Sequence, residues 1–409
     1  MSDPNKPQTV LAGAPAKDDM PRKSLASRLK SFVLIFLLVV LPFALFYAFT
    51  QYMYVCRIQL PAGKTTVDHT GVPGRRSRLG ELIYGVGICV PDGSALPCWI
   101  RDHLGYRYYI VPRGAEAIEG HLFLNNRYLR GIRLPDGLKR IGSGVFQGCE
   151  NLREIVIPDS VTEIGFAAFL GCRSLPLVVI GKNVVRIGGG AFSGTGCKLV
   201  VPDDHPYFKF EDGILYSKDG KELLSCVTVP DGGRVVVPPG VKIAPYAFAS
   251  CPGLTEVLLP AGVKEITPYA FASCPGLTEV LLPVGVKTIR EGAFSRCTGL
   301  KHVEMPDSVT EIGNSAFEEC EQLEEIDIPD GIEIIYPYTF QDCKNLKRVA
   351  LPSGLKNILE EAFSGCSSLA NMELPDSLVK IASDAFEGCP AVDVSTIPAG
   401  KLFNSVEEF

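Results

Sequence analysis

Prolines at 260, 283, 306, 329, 352, 375 and 398 follow one another at a spacing of 23 residues. The same step links Pro112, Pro135 and Pro158, and Gly181 fills the next slot. Phenylalanines keep the period from 123 to 192 and again from 248 to 386, with a cysteine three residues after most of them. Three residue types in one phase make the chain an array of stacked units, not the two or three globular domains that 409 residues would otherwise suggest.

A representative unit reads Leu152-Arg153-Glu154-Ile155-Val156-Ile157-Pro158, then Val161, Ile164, Ala168, Phe169 and Cys172. Alternation turns Ile155 and Ile157 inward and Glu154 and Val156 outward. Pro158 has no N–H for the ladder and ends the strand. Val161 to Ile164 is expected to return along a second face, and Ala-Phe-x-x-Cys to form a short helical turn. Eleven such units run in two blocks, four from Pro112 and seven from Pro238, with a partial unit after Pro398. A single unit cannot bury its apolar face alone, so stability belongs to the stack. The expected fold class is α/β and β-rich, a solenoid with short helical turns.

The motif IPDSVTEIGFAAFLGC at 157–172, repeated with variations over residues 112–398, resembles the BspA-like leucine-rich repeats of bacterial and some protist surface proteins. That resemblance implies a leucine-rich-repeat fold and extracellular adhesion or ligand binding. The interruption at 203–237 resembles the non-repeat insert of that family. Asp212-Gly213 and Asp219-Gly220 between β-prone runs predict one or two hairpins there.

Ahead of the array, Phe32 to Phe49 is almost unbroken apolar sequence, and no charge occurs from Ser31 to Cys56. Such a run suits one transmembrane helix, which Pro42 would kink without forbidding. Arg22, Lys23, Arg28 and Lys30 precede it closely, so the positive-inside rule puts the N-terminus in the cytoplasm and the repeats outside, in a periplasm or at the cell surface. A cleaved signal peptide is the rival; the long polar lead and the lack of a small-residue cleavage site speak against it. The expected organisation is a disordered tail at 1–31, a membrane helix at 32–55, a linker at 56–80 and an N-terminal cap at 81–111. Repeats follow at 112–202, the insert at 203–237, and the second block with a C-terminal cap at 238–409.

Of the 14 cysteines, nine stand in repeat phase, from Cys149 to Cys389, and read as a buried column of small apolar side chains. A metal ladder lacks both CxxC pairs and clustered histidines. Five lie off the column: Cys56, Cys89, Cys98, Cys197 and Cys226. In an oxidising compartment, Cys89–Cys98 and Cys197–Cys226 are the candidate bridges. The five histidines are scattered, and neither HExxH nor GxSxG occurs. Gly63-Lys64-Thr65 lacks the first glycine of a P-loop. Arg75, Arg76 and Arg78 read as a solvated linker or a protease-sensitive stretch. No cofactor or catalytic constellation is expected.

The outward strand positions carry the candidate binding residues. Val156, Leu177, Val179, Leu258 and Leu281 form an aliphatic patch of the kind that marks interaction sites, unless the insert folds over it. Glu256, Glu279, Glu304, Glu325 and Asp327 give the C-terminal half an acidic character. Net charge is −6 for the chain and −12 for residues 112–409, which disfavours nucleic acid and anionic lipid as partners of the array. A unit duplicated without change, Pro245–Pro260 in Pro268–Pro283, shows tolerance of length change that a catalytic centre would not readily share. These readings predict non-catalytic recognition of a protein or glycan, with a structural envelope spacer as the alternative.

Overall fold

The computed structural model describes residues 55–57, 65–67, 108–370, 372–392 and 399–403. Each turn of the chain lays down one coil with three stations, and coils stack in parallel. At the first station short strands line up in register, as where Tyr108–Ile110 pairs with Gly131–Arg133 and that strand with Glu154–Ile155. At the second, two-residue strands such as Arg140–Ile141, Glu163–Ile164 and Arg186–Ile187 form their own parallel ladder. The turn between these stations is closed locally: Val161 donates its N–H to the Pro158 carbonyl at 3.0 Å, and Leu138 does the same to Pro135 at 3.1 Å. Proline therefore ends the first strand and supplies the acceptor that turns the chain.

The third station departs from the expectation of short helical turns. Among the described residues the only helical element is the 3-10 turn Ala399–Lys401, so the array is a β-solenoid. The reason lies in where the Ala-Phe-x-x-Cys segment sends its N–H groups. Tyr269, Phe271 and Ser273 donate to Glu291, Ala293 and Ser295 of the next coil at 2.8–2.9 Å, while Ala270 and Ala272 close local turns. A helix would need those donors four residues back along its own chain. Alternate donation is possible because two residues per turn adopt positive φ, Tyr269 at 54° and Ser273 at 58° in this coil. The turn thus acts as a third ladder between coils.

Inside, the phenylalanines stack face to face along the array. Phe123, Phe146, Phe169 and Phe192 are spaced 5.1–5.6 Å between ring centroids, and Phe248 through Phe386 5.2–5.5 Å. Phe146 to Phe363 in this column are fully buried. Around them pack the inward strand residues, such as Val178 and Ile180, and the cysteines. Tight packing also governs the glycine after the second strand. A Cβ on Gly165 would stand 2.5 Å from the Ser143 backbone nitrogen. Gly165→Ala is therefore expected to cost about 1–3 kcal/mol as an overpacking change, read as a lowered urea midpoint. A midpoint equal to wild type would show that the coils are not held this closely.

Two stretches in the region expected to be a linker and the end of the membrane segment are strands. Val55–Arg57 pairs in parallel with Tyr108–Ile110, and Thr66–Val67 with Ala117–Ile118. They extend both ladders by one coil. Val67 is fully buried, continuing the apolar second-station position that Ile118 and Ile141 occupy. The apolar run at 32–54, the tail at 1–31 and residues 68–107, which hold most of the expected cap and Cys89 and Cys98, lie outside the described residues. No helix of the described residues is long and apolar enough to cross a membrane.

Between the two blocks, Phe208–Glu211, Ile214–Ser217 and Glu222–Cys226 run as three antiparallel strands. The third re-enters the solenoid, where Glu222 and Leu223 pair in parallel with Lys242 and Ile243. Deeper in, Gly190 and Gly194 donate to the Leu224 and Cys226 carbonyls, and Cys226 donates to Ala247. The excursion therefore leaves the array and returns with the third station bridged, while the second-station strand Arg186–Ile187 pairs only with Glu163–Ile164 and not with Glu222–Cys226. Arg234–Val236, at the end of the stretch expected to be insert, is itself a first-station strand paired with Glu256–Leu258.

Candidate binding surface

Every outward strand residue singled out from the sequence is on the surface. Val156, Leu177, Val179 and Leu281 are 80, 44, 50 and 49% exposed. Glu256, Glu279, Glu304, Glu325 and Asp327 are exposed as well, and Leu258 is half-buried. The insert does not cover the aliphatic residues. One member of the patch escaped the sequence reading. Val236 is 60% exposed and shares the register of Leu258. Its signal was Pro238 two residues later, in the place that Pro158 holds after Val156. The outward aliphatic side chains lie on both sides of the insert, Val156, Leu177 and Val179 before it and Val236, Leu258 and Leu281 after it, and are a few ångströms apart where strands pair, as at Val236 and Leu258.

The acidic half is less free than its composition suggests. Arg348 sits between Glu325 and Asp327, at 3.2 and 2.8 Å, and Arg234 reaches Glu256 at 3.2 Å. Such exposed pairs contribute little stability, about 0–1 kcal/mol each, but they cancel local field. No ion pair engages Glu279 or Glu304 among the described residues. These two carboxylates adjoin the aliphatic stripe at Leu281, since Glu279 and Leu281 lie opposite His302 and Glu304 in the ladder.

The cysteine column is buried throughout, and it does more than fill space. Each in-phase Sγ reaches back to the preceding coil: Cys172 donates to the Phe146 carbonyl, Cys274 to Phe248 and Cys297 to Phe271, all at 3.0 Å. Burial pushes the Cys149 and Cys297 thiols up to about 12. Cys197 and Cys226 are free buried thiols, so the expected bridge between them is not made. Each has another neighbour: the Thr195 hydroxyl donates to Cys197 Sγ at 3.4 Å, and the Cys226 carbonyl accepts from Cys251 Sγ at 3.4 Å. No group of three or more His, Cys, Asp or Glu side chains among the described residues could hold a metal ion.

A family model described as the BspA type leucine rich repeat region matches in six copies, over residues 105–204, 241–358 and 333–406. Among solved structures, the chain is similar to a leucine-rich repeat protein from Eubacterium ventriosum. The identity is 24% and the TM-score 0.57, covering 74% of this chain and 89% of that one. It is also similar to a leucine rich cell surface protein from Faecalibacterium prausnitzii, at 27% identity and a TM-score of 0.49, covering 71% and 78%. No curated protein matches. The first of these likenesses establishes the fold.

Proposed function

Since the chain belongs to the BspA-type leucine-rich repeat family, we propose that it is a membrane-anchored, outward-facing binding protein that recognises a protein or glycan ligand without catalysis. The observation that carries this reading is the aliphatic stripe. Val156, Leu177, Val179, Val236 and Leu281 stay exposed on the strand face, where water contact costs roughly 25 cal/mol per Å² of apolar surface. A strand face that keeps these side chains uncovered has a use for them. Glu279 and Glu304 beside the stripe favour a partner that carries positive charge next to an apolar segment. The anchor rests on the apolar run at 32–49 and the lysines and arginines before it.

A panel of immobilised matrix and envelope proteins and glycans, probed with the full-length chain by biolayer interferometry, tests the reading. At least one member is expected to bind, and Val179→Asp with Leu281→Asp to weaken it tenfold or more while the melting temperature holds. A panel without any binder would instead favour the envelope-spacer reading. Protease shaving of intact cells tests the topology. Release of the repeats supports exposure at the surface, and protection points to a periplasmic or reversed arrangement.

A further inference from the structure

The first-station ladder has a gap where the insert joins. Lys198–Val200 pairs with Leu177–Val179 on one side, and Arg234–Val236 with Glu256–Leu258 on the other, but the two strands do not pair with each other. Between them opens a cleft of about 1040 Å³, lined by Lys198, Leu199, Arg234 and Val236 and by Phe210 and Tyr216 of the antiparallel strands. Its volume slightly exceeds the roughly 300–1,000 Å³ usual for small-molecule sites.

Both walls are strand edges with main-chain groups to spare. Lys198 N–H donates to Pro176 and the Val200 carbonyl accepts from Ile180, so these two residues spend their groups on the earlier coil. Alternation then points the Leu199 N–H and C=O into the cleft, where neither meets a partner among the described residues. Across the gap, the Gly233 carbonyl accepts from Thr255 and Glu256, and Val237 N–H donates to Leu258. The main-chain groups of Arg234 and Val236 therefore face back into the cleft, likewise without partners among the described residues. Of the other unpaired first-station neighbours, Glu256–Leu258 and Glu279–Leu281 still abut, as do His302–Glu304 and Glu325–Asp327, whereas Glu154–Ile155 and Leu177–Val179 form a second break without a comparable cleft described between them.

We propose that this cleft is a β-strand acceptor, which binds an extended acidic–apolar segment of a partner protein parallel to its two walls. Two edges offering alternate N–H and C=O groups are matched by polypeptide, which supplies both in the same alternation. Charge at the two wall positions selects the sequence; of the carboxylates that also line the cleft, Glu211 and Asp219 are paired with Lys209 and Lys221, which leaves Asp212 and Asp231 on the insert and its return. Lys198 and Arg234 occupy the same outward position on the two walls, as their pairing with Leu177 and Glu256 shows. Lys198 has no ion pair among the described residues, while Arg234 has only Glu256. An inserted strand would place its outward side chain between these two cations, and its next residue inward beside buried Leu199 and Val235. Acid followed by an aliphatic residue meets both demands. The chain's own coils use that order in Glu256-Val257 and Glu279-Val280.

A fluorescein-labelled peptide GLTEVLLP, the sequence of residues 253–260, serves as the probe against the full-length protein in an anisotropy titration. Saturable binding is expected, with the peptide GLTKVLLP at least tenfold weaker. Lys198→Glu alters an exposed side chain and should reverse that order. Val236→Pro removes an N–H from the receiving edge and should abolish binding of both peptides. No saturable binding of GLTEVLLP, or a preference that Lys198→Glu leaves unchanged, overturns the proposal. If Val236→Pro does not fold, the Lys198→Glu comparison decides alone.

Discussion

Phe294→Ala will destabilise the array by about 3–5 kcal/mol, the range for truncating a buried aromatic ring. Phe294 is fully buried between Phe271 and Phe317, 5.4 Å from each. Two stacking contacts, worth about 0.5–1.5 kcal/mol each beyond their buried area, go with the ring. The loss also sits in the middle of a one-dimensional stack, where coils hold only their neighbours. Urea unfolding followed by tyrosine fluorescence should therefore change from one transition toward two, as the coils on each side lose their coupling. Phe386→Ala is the control. That ring stacks on Phe363 alone among the described rings and is slightly exposed, so its removal should cost markedly less and fray one end. Equal losses at the two positions would refute the stacked column as the source of cooperativity.

Stability should fall steeply at alkaline pH, and the cysteine column should be the cause. Burial raises the thiol of Cys297 from 9.0 to about 12 in the folded chain, and Cys149 behaves alike. Below pH 9 the thiol is protonated folded or unfolded, and its contribution is fully present. Between pH 9 and 12 the unfolded chain has released the proton that the folded chain still holds, so unfolding becomes easier with each step in pH. Each such thiol contributes a slope of about 1.4 kcal/mol per pH unit. Cys297→Ser keeps a donor for the Phe271 carbonyl and removes one titrating group. Its stability profile should be flatter than wild type by about that slope across the window. Parallel profiles would show that the thiol ionises without opening the coil.

The period of proline, phenylalanine and cysteine made the stacking, the inward and outward strand residues and the exposed face legible before any coordinates. Each of these follows from side-chain pattern, and a repeat states its pattern many times over. What stayed hidden is carried by the main chain. Ala-Phe-x-x-Cys has helix-compatible side chains, yet Tyr269 and Ser273 take positive φ so that their N–H groups can reach the next coil. That choice is made by the neighbouring coil. The same holds for Thr66–Val67, whose strand state depends on Ala117–Ile118 beside it. Lys198 and Arg234 were invisible as a pair because 35 residues, most of them insert and return, separate them in the chain.

The three ladders run their hydrogen bonds between coils, so a pull along the stack loads them one coil after another. A coil that peels away releases 23 residues, up to roughly 75 Å of chain at about 3.3 Å per residue. While stacked it took up about 4.8 Å of length. Drawn out from its ends, the protein would yield in steps rather than snap, and a partner held on the remaining coils would stay tethered as the distance grew many-fold.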